Sequence, residues 1–166
     1  MGLGKVGILL GSKSDLPYIE GCVKVLKEFG IGYEVKIISA HRTPELLEEF
    51  LKREDFDLYI AAAGYAAHLP GVVASKTLKP VIGIPLDTSP LMGGLDALLS
   101  IVQMPPGIPV ATVTVGKAGG TNAAVLAAQI LSLKYPELVS KLQEYRQKMK
   151  EKIIQANEEL NIKSSF

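Results

Sequence analysis

The sequence predicts a three-layer α/β sandwich, a five-stranded parallel sheet with helices on both faces. Three observations carry that prediction. Short apolar runs at 5–11 (KVGILLG), 33–39 (YEVKIIS), 57–64 (DLYIAAAG), 80–85 (PVIGIP) and 109–115 (PVATVTV) recur with room for a helix between them. Four of the five are nearly unbroken, as parallel strands covered on both faces are. The segments between them carry apolar residues at helical spacing. Residues 1–166 read as one domain, without internal repeat, low-complexity tract or linker.

The elements follow in order. After the first strand, DLPYIEGCVKVLKEFG places Ile19, Cys22, Val23, Leu26 and Phe29 on one helical face, with Ser14 or Asp15 as cap and Gly30 as left-handed stop. The second strand alternates Tyr33, Val35 and Ile37 with Glu34 and Lys36, a pattern suited to a sheet edge. Thr43 as N-cap and Pro44 at the first helical position open TPELLEEFLKR. Helices GLDALLSIVQ and GTNAAVLAAQILSL follow the fourth and fifth strands. A long helix of about 136–160 closes the chain; its Leu138, Leu142, Tyr145, Met149 and Ile153 form a narrow stripe, to pack on the domain or on another subunit. Right-handed crossovers and an edge second strand select the flavodoxin-like order 2-1-3-4-5. Ligands of such sheets bind at the carboxyl ends of the strands, near the switch point between strands 1 and 3.

Composition narrows the class. Hydrophobic residues make up 48% of the chain, yet no apolar run reaches the roughly 20 residues of a membrane span, so the surplus points to contacts between subunits. The opening MGLGKVGILLG has no signal-peptide pattern, and Val6 stands where a myristoylation signal carries Ser or Thr. One Cys allows no intramolecular disulfide and, with two His, argues against structural zinc. A net charge of +1 gives no electrostatic case for nucleic acid. The expectation is a cytoplasmic oligomer with no membrane or nucleic-acid partner.

The carboxyl ends of the strands hold the chemistry. The first ends in GSKSDLP, the second in SAHRTP, the third in AAGYAAHLPG and the fifth in VGKAGGTNAA. Both His residues, His41 and His68, therefore fall at one edge, joined by Ser12, Ser14, Asp15, Ser39 and Arg42. Ser14 and Asp15 either cap a helix or receive a phosphate and a ribose diol. Arg42 beside a helix start is a phosphate clamp, unless it pairs with Glu45, Glu48 and Glu49 of its own helix. His41 next to it is either placed to take or give a proton or is a structural imidazole bonded to a backbone carbonyl. The Ala and Gly around His68 give a flat heterocycle close access, or simply let a helix pack on the sheet. GSKSD is not a dinucleotide fingerprint, and VGKAGG lacks the GK[ST] of a Walker loop, which leaves it a Gly-rich turn opening a helix. AAAG at the end of strand 3 lacks the Asp of a receiver domain. Tyr65 is the one aromatic in the first three loops, against a flavin carrier.

Together the strings GSKSD, SAHRTP, AAHLPG, GLDALLSIVQMPPGIPVATV and GKAGGTNAA are similar to the N5-carboxyaminoimidazole ribonucleotide mutases of purine biosynthesis, the PurE family, from about residue 5 to 132. The resemblance implies a homo-octamer that uses no cofactor and no metal. The reaction moves a carboxylate from the exocyclic nitrogen to C4 of a small ribonucleotide, through trapped CO2. A synthetase that makes the unstable carbamate is an implied transient partner. Residue by residue, it implies that Ser14 and Arg42, with Ser39 and Ala40, hold the phosphate and Asp15 the ribose. Ser12, Gly64, Ala67, His68 and Leu69 would surround the heterocycle and carboxylate, with His41 as general acid/base; both His count as catalytic. The related carboxylase class, which uses free CO2, has Lys in place of Arg42 and lacks AAHLPG. A non-catalytic nucleotide-binding scaffold is the remaining alternative. One departure stands out: Tyr65 occupies a position that is usually Gly; a positive φ there would strain it, and otherwise its ring would line or lid the pocket.

Overall fold

The structure is a computed structural model that describes residues 2–66, 68–90 and 92–163. It consists of β1 (Lys5–Leu10), α1 (Glu20–Phe29), β2 (Gly32–Ile37), α2 (Pro44–Leu51), β3 (Leu58–Ala63), α3 (Leu69–Lys76), β4 (Val81–Pro85), α4 (Leu95–Val102), β5 (Ala111–Thr112), α5 (Lys117–Leu131) and α6 (Glu137–Lys163). The five strands form one parallel sheet in the order β2-β1-β3-β4-β5, as the sequence predicts. Two apolar layers sandwich it. Val6, Ile8, Leu10, Ile60 and Ile84 point to the layer under α1 and α5, and Leu9, Tyr59, Ala61 and Ala63 to the layer under α2 and α3. The alternation along β1 and β3 follows from the two-residue period of a strand.

Several boundaries differ from the sequence reading, each for a local reason. The first helix does not run from Asp15: residues Lys13–Ile19 form a 3-10 helix with Pro17 inside it, and α1 starts only at Glu20. Proline disfavours helical backbone at the residue before it, so a regular α-helix begins beyond it. The cap is Ser12 rather than Ser14 or Asp15; its hydroxyl accepts the Ser14 N–H at 3.3 Å. Gly30 ends α1 in the left-handed conformation, φ 72°, as expected.

The fifth strand is much shorter than 109–115. Only Ala111 and Thr112 pair with Ile82 and Gly83, and both are partly or fully exposed. Pro109 supplies no N–H, and the strand is an edge. Helix α5 starts earlier than predicted, at Lys117, so Gly119 and Gly120 of VGKAGG lie inside a helix, while Gly116 stands at its N-cap with φ 81°. Close approach explains them: a Cβ on Gly119 would stand 1.9 Å from the Thr114 carbonyl oxygen, and one on Gly120 2.4 Å from that of Tyr18.

The terminal helix divides its stripe. Leu138 is fully buried, Leu142 and Tyr145 pack on the core, and Tyr145 meets Phe29 edge-on at 5.4 Å. Met149 and Ile153 are exposed, with Ile154, Leu160 and Ile162. Among the described residues no helix is long and apolar enough to cross a membrane.

Cys22 sits in the layer under α1, fully buried, and burial pushes its thiol up to about 12. The thiolate is the reactive form. Native protein is therefore expected to resist an aromatic disulfide reagent at pH 8, and to react stoichiometrically once unfolded in guanidinium.

Candidate active site

Four strands deliver their carboxyl ends to one open cavity of about 810 Å³. The ladder extends just past the strands, through Ile38 N–H to Leu10 C=O at 2.8 Å and Leu86 N–H to Ala63 C=O at 3.0 Å. Those bonds fix where each loop leaves the sheet. Every predicted site residue among the described ones lines the cavity: Ser12, Ser14, Asp15, Ser39, Ala40, His41, Arg42, Gly64, His68 and Leu69. Ala67 lies outside the described residues.

The first loop presents two hydroxyls in contact, Ser12 Oγ and Ser14 Oγ at 2.9 Å. Asp15 follows, buried at 7% exposure, with its N–H donating to the Ser12 carbonyl at 3.1 Å. Burial raises its carboxyl pKa above the ordinary value of 3.8, opposed by a backbone hydrogen bond from Ser12.

The second loop is held by Thr43 in a way the sequence did not suggest. Its hydroxyl makes no cap bond to α2; it accepts the Ser39 N–H at 3.0 Å and donates to the Ser39 carbonyl at 3.1 Å. Pro44 opens α2 as expected. The loop so closed aims Arg42 back across the sheet. Its N–H and Nε donate to Ser39 Oγ at 3.1 and 3.3 Å, and Nη2 donates to the Gly11 carbonyl at 3.2 Å. Glu48, the one acidic residue of α2 seen in an ion pair, is engaged by Lys76 at 3.1 Å. The Arg42 fork thus reaches the backbone just past β1, beside the Ser39 hydroxyl.

The third loop brings the imidazoles together. The His41 and His68 rings meet edge to face, centroids 5.1 Å apart at 80°. His68 immediately precedes α3 but makes no side-chain cap bond, and Pro70 stands in the helix's first turn. Leu69 is buried at 4% exposure and anchors the loop in the lower core. Tyr65 has φ 57°, the only positive φ outside glycine among the described residues, so the strained alternative for this position holds.

Sequence reading missed Gly11, Tyr18 and Thr88, which also line the cavity. Tyr18 donates its phenol to Asp87, which raises its pKa. Thr88 comes two residues after the buried Leu86, at the carboxyl end of β4, a loop the sequence reading left aside. It also explains Gly64: a Cβ there would lie 1.9 Å from Thr88 Oγ1. Gly64→Ala is therefore expected to misplace the third loop and abolish most ligand binding, with partial recovery in Gly64→Ala/Thr88→Ala, both read by calorimetry. Among the described residues no three His, Cys, Asp or Glu side chains converge as metal ligands do. The cavity therefore offers hydroxyls, a guanidinium, a carboxylate and two imidazoles among walls that include Ala and Gly.

Comparison with known proteins places the chain in a family. The AIR carboxylase family model matches residues 5–152. A Methanocaldococcus jannaschii protein described as N5-carboxyaminoimidazole ribonucleotide mutase is 57% identical over 153 residues, covering 92% of this chain and 95% of its own. A Thermotoga maritima protein of the same description is 51% identical, covering 94% and 91%. The crystal structure of Treponema denticola PurE superposes with a TM-score of 0.81 at 35% identity, covering 94% of this chain and 98% of that one. On the match across 5–152 and these identities, the chain belongs to the AIR carboxylase family.

Proposed function

We propose that the chain converts N5-carboxyaminoimidazole ribonucleotide to 4-carboxyaminoimidazole ribonucleotide. The observation that carries this reading is a single cavity lined by Ser14, Arg42 and a pair of imidazoles 5.1 Å apart. The hydroxyl and the guanidinium suit a phosphate, the imidazoles a proton transfer on a flat ring.

In this mechanism Ser14 and Arg42, with Ser39 and the Ala40 backbone, bind the phosphate, and Asp15 accepts hydrogen bonds from the ribose hydroxyls. The carbamate N–C bond breaks, its electron pair returns to the exocyclic nitrogen, and protonated His41 supplies the proton that makes the amine. The released CO2 stays between Ser12, Gly64, Leu69 and His68. C4, made nucleophilic by the amine, attacks it and forms the new C–C bond. Neutral His41 then removes the C4 proton, which restores the aromatic ring and the starting charge of the imidazole. One group thus serves as acid and base, and the reaction needs no external reductant, ATP or metal. Retaining CO2 beside C4 replaces a bimolecular encounter with an intramolecular one.

The finer features of the reading are also proposals. A homo-octamer is supported by exposed apolar residues on α4 (Leu95, Leu99, Val102) and on the far half of α6. A cytoplasmic location and a transient synthetase partner fit a substrate that decomposes in water.

Arg42 and AAHLPG favour the mutase over a carboxylase that fixes free CO2. Turnover of freshly made carbamate, without ATP, metal or bicarbonate, separates the two. Conversion of the carbamate supports the mutase; conversion only of aminoimidazole ribonucleotide with excess bicarbonate moves the chain to the carboxylase class, and neither leaves a scaffold.

Asp15 gives a pH-dependent prediction. Its carboxyl has a higher pKa folded than unfolded, so between the two values the folded state binds more protons and stability falls as pH rises. The cost is fully present at neutral pH and disappears below about the ordinary value of 3.8. Asp15→Asn is expected to melt a few degrees higher than wild type at pH 7, to lose that advantage near pH 3.5, and to bind the nucleotide about tenfold more weakly. Calorimetric melting and titration read both.

A further inference from the structure

Both imidazoles are exposed. A pocket that frees CO2 needs water kept from that end, because the freed CO2 would otherwise be hydrated or lost. Few groups on this chain can supply the cover. Tyr18 is half-buried, with its phenol held by Asp87, and Leu69 is part of the wall. Tyr65 is different. It lines the same cavity, its side chain is 61% exposed, and its backbone sits at φ 57° directly between Gly64 and Ala66. A bulky residue in the left-handed region is strained, and an aromatic ring left in water recovers little of that cost by packing. Neither the fold nor the core explains why a ring is carried there, whereas a flat ligand beside His68 would.

We infer that Tyr65 is a substrate-contact residue, whose ring lies against the face of the substrate's five-membered heterocycle and shields the imidazole end of the pocket from water. The contact is aromatic and apolar, so the phenolic hydroxyl is dispensable. This inference rests on the mutase reading for the identity of the heterocycle.

The test compares two probes by titration calorimetry, 5-aminoimidazole ribonucleotide, which has the ring, and ribose 5-phosphate, which lacks it. Tyr65→Ala and Tyr65→Gly are expected to bind the ribonucleotide about tenfold more weakly and ribose 5-phosphate within about twofold of wild type. Tyr65→Phe should behave as wild type toward both. Tyr65→Gly should melt no lower than wild type, since it relieves the positive φ, which guards against reading a folding defect as lost contact. In turnover, Tyr65→Ala should release a larger share of the carbamate as aminoimidazole ribonucleotide and free CO2. Unchanged affinity for the ribonucleotide in Tyr65→Ala and Tyr65→Gly, or an equal loss for both probes, overturns the inference. A wild type that prefers the ribonucleotide through Tyr65 but never converts the carbamate keeps the contact and sinks the mutase. A wild type that converts it with Tyr65→Ala unimpaired does the reverse.

Discussion

His41→Asn is expected to lower kcat for the carbamate by about 10³-fold, the middle of the range for losing a general acid/base. Asn keeps a hydrogen-bonding group of similar reach but cannot carry a proton at neutral pH. Two transfers are lost together, the proton given to the nitrogen and the proton taken from C4, so no partial reaction should survive at speed. Affinity for the product should stay within about threefold, because the phosphate and ribose contacts lie elsewhere. His41 is exposed and makes only the edge contact with His68, so the melting temperature should not move. Stopped-flow turnover, calorimetry and thermal melting check the three parts. A variant that still turns over within tenfold of wild type would take the proton transfers away from His41.

Arg42→Ala is expected to act on binding instead. The guanidinium donates to Ser39 Oγ and to the Gly11 carbonyl, which fixes its plane in the cavity that Ser14 also lines. A charged hydrogen bond is worth about 1.5–3 kcal/mol, so KM should rise by about 10- to 150-fold. Because a phosphate is held equally in ground and transition states, kcat should change far less. Arg42→Lys keeps the charge but not the fork, and should recover only part of the loss. Ribose 5-phosphate affinity should fall in parallel with the substrate's, a signature His41→Asn would lack.

The fold was legible because its signals are local and redundant. Unbroken apolar runs such as 57–64 fit only a strand covered on both faces, and the charged alternation of 33–37 belongs at an edge. Where a single residue overrides a pattern, the sequence reading failed. Pro17 turned the opening of the first helix into a 3-10 segment, and Pro109 with an edge position cut the fifth strand to two residues. The glycines of VGKAGG looked like a loop because their cause is tertiary; the chains that approach Gly119 and Gly120 come from Thr114 and Tyr18.

The candidate site was legible for a different reason. A parallel sheet of this order gathers its loops at one edge, so residues such as Ser14, Arg42 and His68 could be brought together from topology alone. What topology cannot give is side-chain direction. The Arg42 fork turned to Gly11 rather than to its own helix, and Thr43, which stands at the N-cap of α2, gave its hydroxyl to Ser39 instead of to the helix. Thr88 was missed because a lone threonine after a strand carries no pattern, and its role appears only against Gly64.

The most direct measurement follows the carboxyl carbon. Carbamate labelled with 13C in its carboxyl group is turned over once, in a large excess of unlabelled bicarbonate, without ATP or added metal, and the product is read by mass spectrometry. Transfer of CO2 within a closed pocket predicts that most of the 4-carboxyaminoimidazole ribonucleotide retains the label. Product carrying unlabelled carbon at the level of the bicarbonate pool would contradict it, because the CO2 would then have come from solution.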